Sequence, residues 1–110
     1  MFGSKLTKIP KMMEKNQAEK LEKLLTDKDA QVQLAAIDAL GQCTGDVAFN
    51  ALVPLILSTD AQVRAHAVTA LGVMGLPKAR TFLLHQRDEE KDAAVMAAIE
   101  EALKKISVKV

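Results

Sequence analysis

The sequence predicts an all-α fold, a short right-handed α-solenoid of three stacked antiparallel helical hairpins, and three observations carry that prediction. The first is internal repetition. DAQVQLAAIDALG (residues 29–41), DAQVRAHAVTALG (residues 60–72) and DAAVMAAIEEALK (residues 92–104) repeat one pattern, their starts 31 and then 32 residues apart, close to the period of helical repeat arrays. The second is periodicity. Counting each Asp as the first place, Val at the fourth, Ala or Ile at the eighth, and Ala-Leu at the eleventh and twelfth fall on one arc at about 100° per residue. The third is a shorter apolar stretch before each copy, set off by turn residues, which makes the unit a pair of helices. One such pair cannot hide its own apolar face, so the units must stack, and about three are needed for stability.

Residues 1–13 read as an N-terminal capping segment, in which Phe2, Leu6, Ile9 and Met13 stand among Lys5, Lys8, Lys11 and Lys15 and cover the open side of the first hairpin. Repeats follow at about 14–43, 44–74 and 75–106, and residues 107–110 form a C-terminal tail. In the first repeat Asn16-Gln17-Ala18-Glu19 has the form of a capping box, opening a helix through Leu21, Leu24 and Leu25 to a tight Thr26-Asp27-Lys28 turn. In the second, Thr44-Gly45-Asp46 restarts the chain before Phe49, Leu52, Val53, Leu55 and Ile56. Pro54 there removes a hydrogen bond to the carbonyl of Asn50 and should bend the helix. In the third, Gly75-Leu76-Pro77 makes the break, with Pro77 at a first helical position where its missing amide costs nothing. Asp29, Asp60 and Asp92 start the second helices, since a carboxylate accepts hydrogen bonds from first-turn amides and complements the helix dipole. At the ninth place Ile37 and Val68 give way to Glu100, and Lys104 replaces the Gly41 and Gly72 of the earlier copies. The outer flank of the third repeat is therefore expected to meet water.

The D-x-x-V-R-x-x-A-x-x-A-L-G wording, complete in Asp60, Val63, Arg64, Ala67, Ala70, Leu71 and Gly72, resembles the HEAT repeat, in its bacterial form related to phycobilisome-lyase-type repeats. The resemblance covers roughly residues 14–106 and implies fold more than function, because such arrays serve as scaffolds, adaptors and occasionally enzymes. Gln33 and Met96 stand where that pattern has Arg. A ladder of Arg paired with neighbouring Asp is thus expected only around Arg64.

Fifteen basic and fourteen acidic side chains leave a formal charge of +1, too little for a global field that draws nucleic acid or an anionic membrane. Locally, residues 1–26 carry six Lys against three Glu, and residues 27–58 one Lys against four Asp. The single Cys43 has no partner for an internal disulfide, and no apolar run near the start suits a signal peptide or a membrane span. A cytoplasmic setting is the default. No catalytic constellation is spelled. His66 and His85 lack neighbours at metal-ligand spacing and read as structural residues, and His66 takes the place of Ala35 and Ala98. The Asp88-Glu89-Glu90-Lys91-Asp92 run lacks the spaced oxygens and turn Gly of a calcium loop, and Cys43 reads as a small core residue. The repeated His-Glu pairs of the HEAT-like iron hydroxylases are missing, because the pairs here are His66-Ala67 and His85-Gln86. No enzyme activity and no cofactor are expected.

The outward places of the second helices align from repeat to repeat: Gln31, Gln62 and Ala94 at the third, Leu34, Ala65 and Ala97 at the sixth, Asp38, Thr69 and Glu101 at the tenth. They predict a shallow track, small and apolar along its middle with a polar, acidic border, with Leu34 as an exposed anchor. Such a track suits a protein partner, a helical segment or a second copy of the chain. Its acidic groups repel phosphate, and no aromatic residue is interleaved with the Lys, so nucleic acid is not expected. Nor is a membrane, since the amphipathic start is short and holds Pro10. The first reading is a non-catalytic protein-interaction module or scaffold. The alternative is an accessory subunit of a lyase-type or modifying enzyme system that holds a substrate or cofactor protein.

Overall fold

A computed structural model describes residues 4–106, and Phe2, Val108, Val110 and the rest of the tail lie outside the described residues. Seven α-helices follow in order: α1 (Ser4–Glu14), α2 (Ala18–Lys23), α3 (Ala30–Leu40), α4 (Asp46–Leu52), α5 (Ala61–Met74), α6 (Arg80–Glu89) and α7 (Ala93–Ile106). Short 3-10 turns continue α2 (Leu24–Thr26) and α4 (Val53–Leu57) and lead into α6 (Pro77–Ala79), and no strand occurs among the described residues. The chain is thus an all-helical stack of hairpins α2–α3, α4–α5 and α6–α7 with α1 in front. The second helices form one layer, α5 packing on both α3 and α7, and the first helices form the other, α4 touching α2 and its 3-10 extension touching α6.

Each second helix begins where its Asp predicts. Asp29, Asp60 and Asp92 accept from the amides of Gln31, Gln62 and Ala94 at 2.9 Å in each case, and Asp92 also from Val95 at 3.0 Å. Most of the stripe is buried, Val32, Ala36, Ile37, Ala39 and Leu40 on α3, Ala67, Val68, Ala70 and Leu71 on α5, Val95, Ile99, Ala102 and Leu103 on α7, while Val63 at the fourth place of α5 is half-buried. Glu100 and Lys104 are exposed on the outer flank of α7. Where α4 meets Pro54 its α-helical bonding gives way to the 3-10 turn, and Pro77 opens the turn before α6.

Two expectations about the start of the chain need correction. Asn16-Gln17-Ala18-Glu19 forms no capping box, because Gln17 is the cap residue of α2 and makes no side-chain cap bond. Asn16 instead ends α1 in the left-handed region, φ +55°. The amides of Gln17 and Asn16 bond back to the carbonyls of Met12 at 2.8 Å and Met13 at 3.0 Å, a helix-terminating pair of bonds that Asn tolerates better than most residues. Its side chain then crosses to the second repeat, accepting from the Thr44 amide at 2.8 Å. Pro10, expected to limit the amphipathic start, lies inside α1 without ending it. What fixes this segment is packing: Ile9 is buried, and Leu6, Met12 and Met13 lie half-buried against the core, with α1 resting on α2 and α3.

Candidate functional site

Small residues bring the second helices close, and the outward places form a groove. Its volume is about 460 Å³ and its walls come from all three repeats: Asp38 and Gln42 from the end of α3, Ala65, His66, Thr69 and Val73 from α5, Ala94 and Ala98 from α7. Four of its lining residues are alanines, Ala65, Ala70, Ala94 and Ala98. Val73 stands 44% exposed on its wall, one of the large apolar side chains most open to solvent. At the rim His66 Nδ1 lies 2.8 Å from Asp38 Oδ1, a bond in which the ring N–H donates to the carboxylate and which ties α5 to α3. His66, which has no neighbours at metal-ligand spacing in the sequence, has this partner on the preceding repeat.

Of the nine residues expected to form the track, the groove gathers Asp38, Ala65, Thr69 and Ala94. Gln31, Gln62, Ala97 and Glu101 are exposed on the same helices but do not line it. Leu34 departs from expectation, since it is half-buried against the core and not an exposed anchor. It lies on α3, the second helix against which α1 packs.

A family model described as HEAT repeats matches residues 18–104. The chain belongs to the HEAT repeat family. A search of curated proteins found no match. HEAT repeats generally mediate protein–protein interaction or scaffolding, and the family is typically non-catalytic. Among the described residues no group of three or more His, Cys, Asp or Glu is placed to hold a metal ion, and no helix is long and apolar enough to cross a membrane. Cys43 is buried in the HEAT core with its thiol toward the Ala39 carbonyl at 3.6 Å, and burial pushes its pKa up, the opposite of an activated thiol.

Each HEAT repeat also carries a brace in its hairpin turn that spacing alone did not reveal. Two residues before the capping Asp, a side chain accepts from that Asp's own amide: Asp27 to Asp29 at 2.9 Å, Ser58 to Asp60 at 3.1 Å, Glu90 to Asp92 at 3.0 Å. The fifth-place side chain then reaches back to the same turn, Gln33 to the Asp27 carbonyl at 2.6 Å and Arg64 to the Ser58 carbonyl at 2.8 Å. The expected Arg64–Asp pair is corrected by this geometry. Arg64 forks onto Glu90 of the next turn, Nε and a terminal nitrogen meeting its two oxygens at 3.0 and 2.9 Å. The Glu90 side chain is 1% exposed. Burial pushes its pKa up, but hydrogen bonds from Arg64, Gln86 and the Asp92 amide, with the Arg64 charge, outweigh that and hold it at about 2.

On the other layer, between the 3-10 extension of α4 and α6, lies an apolar slot of about 320 Å³ walled by Val53, Pro54, Ile56, Leu57 and Phe82. Leu57 is 69% and Phe82 43% exposed. The Phe82 ring meets Phe49 edge-on at 6.4 Å, and Lys78 sits 4.4 Å over the other ring of that pair, contacts that orient α6 on α4. The only sequence signal for this slot was an aromatic residue in a chain with three Phe.

Proposed function

We propose that this HEAT stack is a non-catalytic interaction module that receives a helical segment of a partner protein in the groove of its second-helix layer. The observation that carries the reading is the composition of that groove: Ala65, Ala70, Ala94, Ala98 and Val73 together with the polar Asp38, Gln42, His66 and Thr69. Alanines along it let a helix seat near the short end of the roughly 8–10 Å range of interhelical distances, and a helix laid in a groove binds through apolar residues on one face. Within the family we place the chain with bacterial phycobilisome-lyase-type repeats, on the wording of residues 60–72. We also divide it into a capping segment at 1–13, repeats at about 14–43, 44–74 and 75–106 and a tail at 107–110, and assign it to the cytoplasm on its single Cys43.

The test is a photo-crosslinking amino acid placed at Val73 in the native cell, with the same group at the exposed Asp88 of α6 as control. The expected result is a discrete adduct from Val73, absent from Asp88, whose crosslinked peptide belongs to a helix-forming segment of another protein. Equal adducts from both sites, none from Val73, or a Val73 adduct to a second copy of this chain would each overturn the reading.

A further inference from the structure

We propose that a cleft between α1 and α2, on a surface separate from the second-helix groove, binds an acidic peptide segment of a protein partner. The cleft has a volume of about 360 Å³, and four of its lining residues are Lys8, Lys11, Lys15 and Lys20. The others are Thr7, Met12 and Gln17, so no acidic side chain lines it. Lys8 and Lys11 on α1 and Lys15 in the turn just after it are three and four residues apart, the Lys15 amide bonding back to the Lys11 carbonyl at 3.0 Å, and Lys20 lines the cleft from α2. None of the four has an ion-pair partner among the described residues, whereas Lys5 pairs with Asp27, Lys78 with Asp46 and Arg87 with Glu100. Like charges at this spacing repel one another, and an anionic ligand relieves that repulsion.

The cleft is held open before any ligand arrives. Ile9, 5% exposed, anchors the opposite face of α1 in the core, and Asn16 locks the turn into α2 by its bond to Thr44. The span from Lys8 to Lys15 is about 10 Å at the helical rise, close to one Debye length at 0.1 M salt, so the charges act together. Three features select the occupant. Among the described residues Leu6, Ile9 and Met13 of α1 pack on the core and are not free to enter a bilayer. The site is concave, which suits a protruding chain better than a flat lipid surface. No aromatic ring lines it to stack a base.

The probe is fluorescein-labelled octaglutamate, titrated with the full chain and followed by anisotropy in low salt. Binding is expected, weakening by roughly tenfold between about 20 and 200 mM salt as screening shortens the reach of the lysines. Lys11→Glu with Lys15→Glu should abolish it, and neutral Lys8→Gln with Lys15→Gln should weaken it, both pairs keeping the parent's helical circular dichroism since these side chains are exposed. Lys104→Glu with Lys105→Glu, on α7, should leave it unchanged, as should Thr69→Lys in the second-helix groove, which separates this site from the one proposed above. The inference is overturned if octaglutamate fails to bind, if either cleft pair leaves binding unchanged, or if phosphatidylserine vesicles or a single-stranded RNA oligomer bind more tightly in the same buffer.

Discussion

Gly72 of α5 lies so close to Ala102 of α7 that a Cβ on the glycine would meet both Cα and Cβ of Ala102 at 2.9 Å. The same relation holds one repeat earlier, between Gly41 and Ala70. The thirteenth place of each repeat thus receives the eleventh place of the next, and where no following helix is described Lys104 stands exposed. Gly72→Ala sets two effects against each other. Ala is a better helix former than Gly by about 1 kcal/mol, but overpacking against backbone and Cβ atoms that cannot swing aside costs about 1–3 kcal/mol. The packing cost should win, so thermal unfolding followed by circular dichroism is expected to show a lower melting temperature for Gly72→Ala, with Lys104→Ala close to the parent. A Gly72→Ala chain as stable as the parent or more so would show that the layer spacing is not set by this contact.

Glu90 should make stability fall in acid over a definite window. Its carboxyl is held at about 2 in the folded chain against an ordinary value of 4.5. A depressed folded pKa means that the ionised form favours folding, so the contribution is full above about pH 4.5 and is lost as pH falls toward 2. Glu90→Gln removes the charge that Arg64 forks onto and should lower the melting temperature at neutral pH. The gap between parent and variant should narrow steadily below pH 4.5. A gap that stayed constant down to pH 2 would mean that the carboxylate charge has no part in the brace.

What the sequence disclosed and what it hid divide along one physical line. The second helices, their Asp caps and their buried stripes are legible in the sequence because each depends on residues two to four apart in a single helix. The exposed flank at Glu100 and Lys104 was legible for the same reason, as a departure from that stripe. Arg64 was misassigned a partner because Glu90 lies 26 residues away on another turn, a distance set by stacking and not by helical spacing. The turn brace escaped notice because Asp27, Ser58 and Glu90 are three residue types doing one job. Asn16 was read as a helix start when it is a helix end, since the residues that suit the two conformations overlap. The exposure of Leu57 and Phe82 and the burial of Leu34 depend on how neighbouring helices sit, which periodicity does not encode.

Leu34 and Ala97 occupy the same place in the first and third repeats and should respond differently to charge. Leu34 on α3 is half-buried against the core, while Ala97 is exposed. Leu34→Ala should cost about 1 kcal/mol, roughly half the value of a fully buried leucine, and Leu34→Lys more. Ala97→Lys should stay within about 0.5 kcal/mol of the parent, as surface changes do. Urea denaturation at constant slope measures both. Equal, negligible effects would return Leu34 to the role of an exposed anchor.

Asn16 does two jobs that substitution can separate. It holds a positive φ that ends α1, and its side chain accepts from the Thr44 amide of the next repeat. Asn16→Gly keeps the backbone conformation, which glycine adopts freely, and loses only the bond, for which about 1 kcal/mol is the usual contribution. Asn16→Ala loses the bond and also places a Cβ in the left-handed region, adding roughly another 1 kcal/mol. The expected order of melting temperature is therefore parent, then Gly, then Ala, each step worth about 4–8 °C per kcal/mol for a domain near this size. If Asn16→Gly equals the parent, the bond to Thr44 contributes nothing, and the two repeats are joined by apolar packing and the His66–Asp38 bond. If Asn16→Ala equals Asn16→Gly, the left-handed turn does not exist in solution, and α1 must meet α2 by a different path from the one that brings Lys8, Lys11, Lys15 and Lys20 to one cleft.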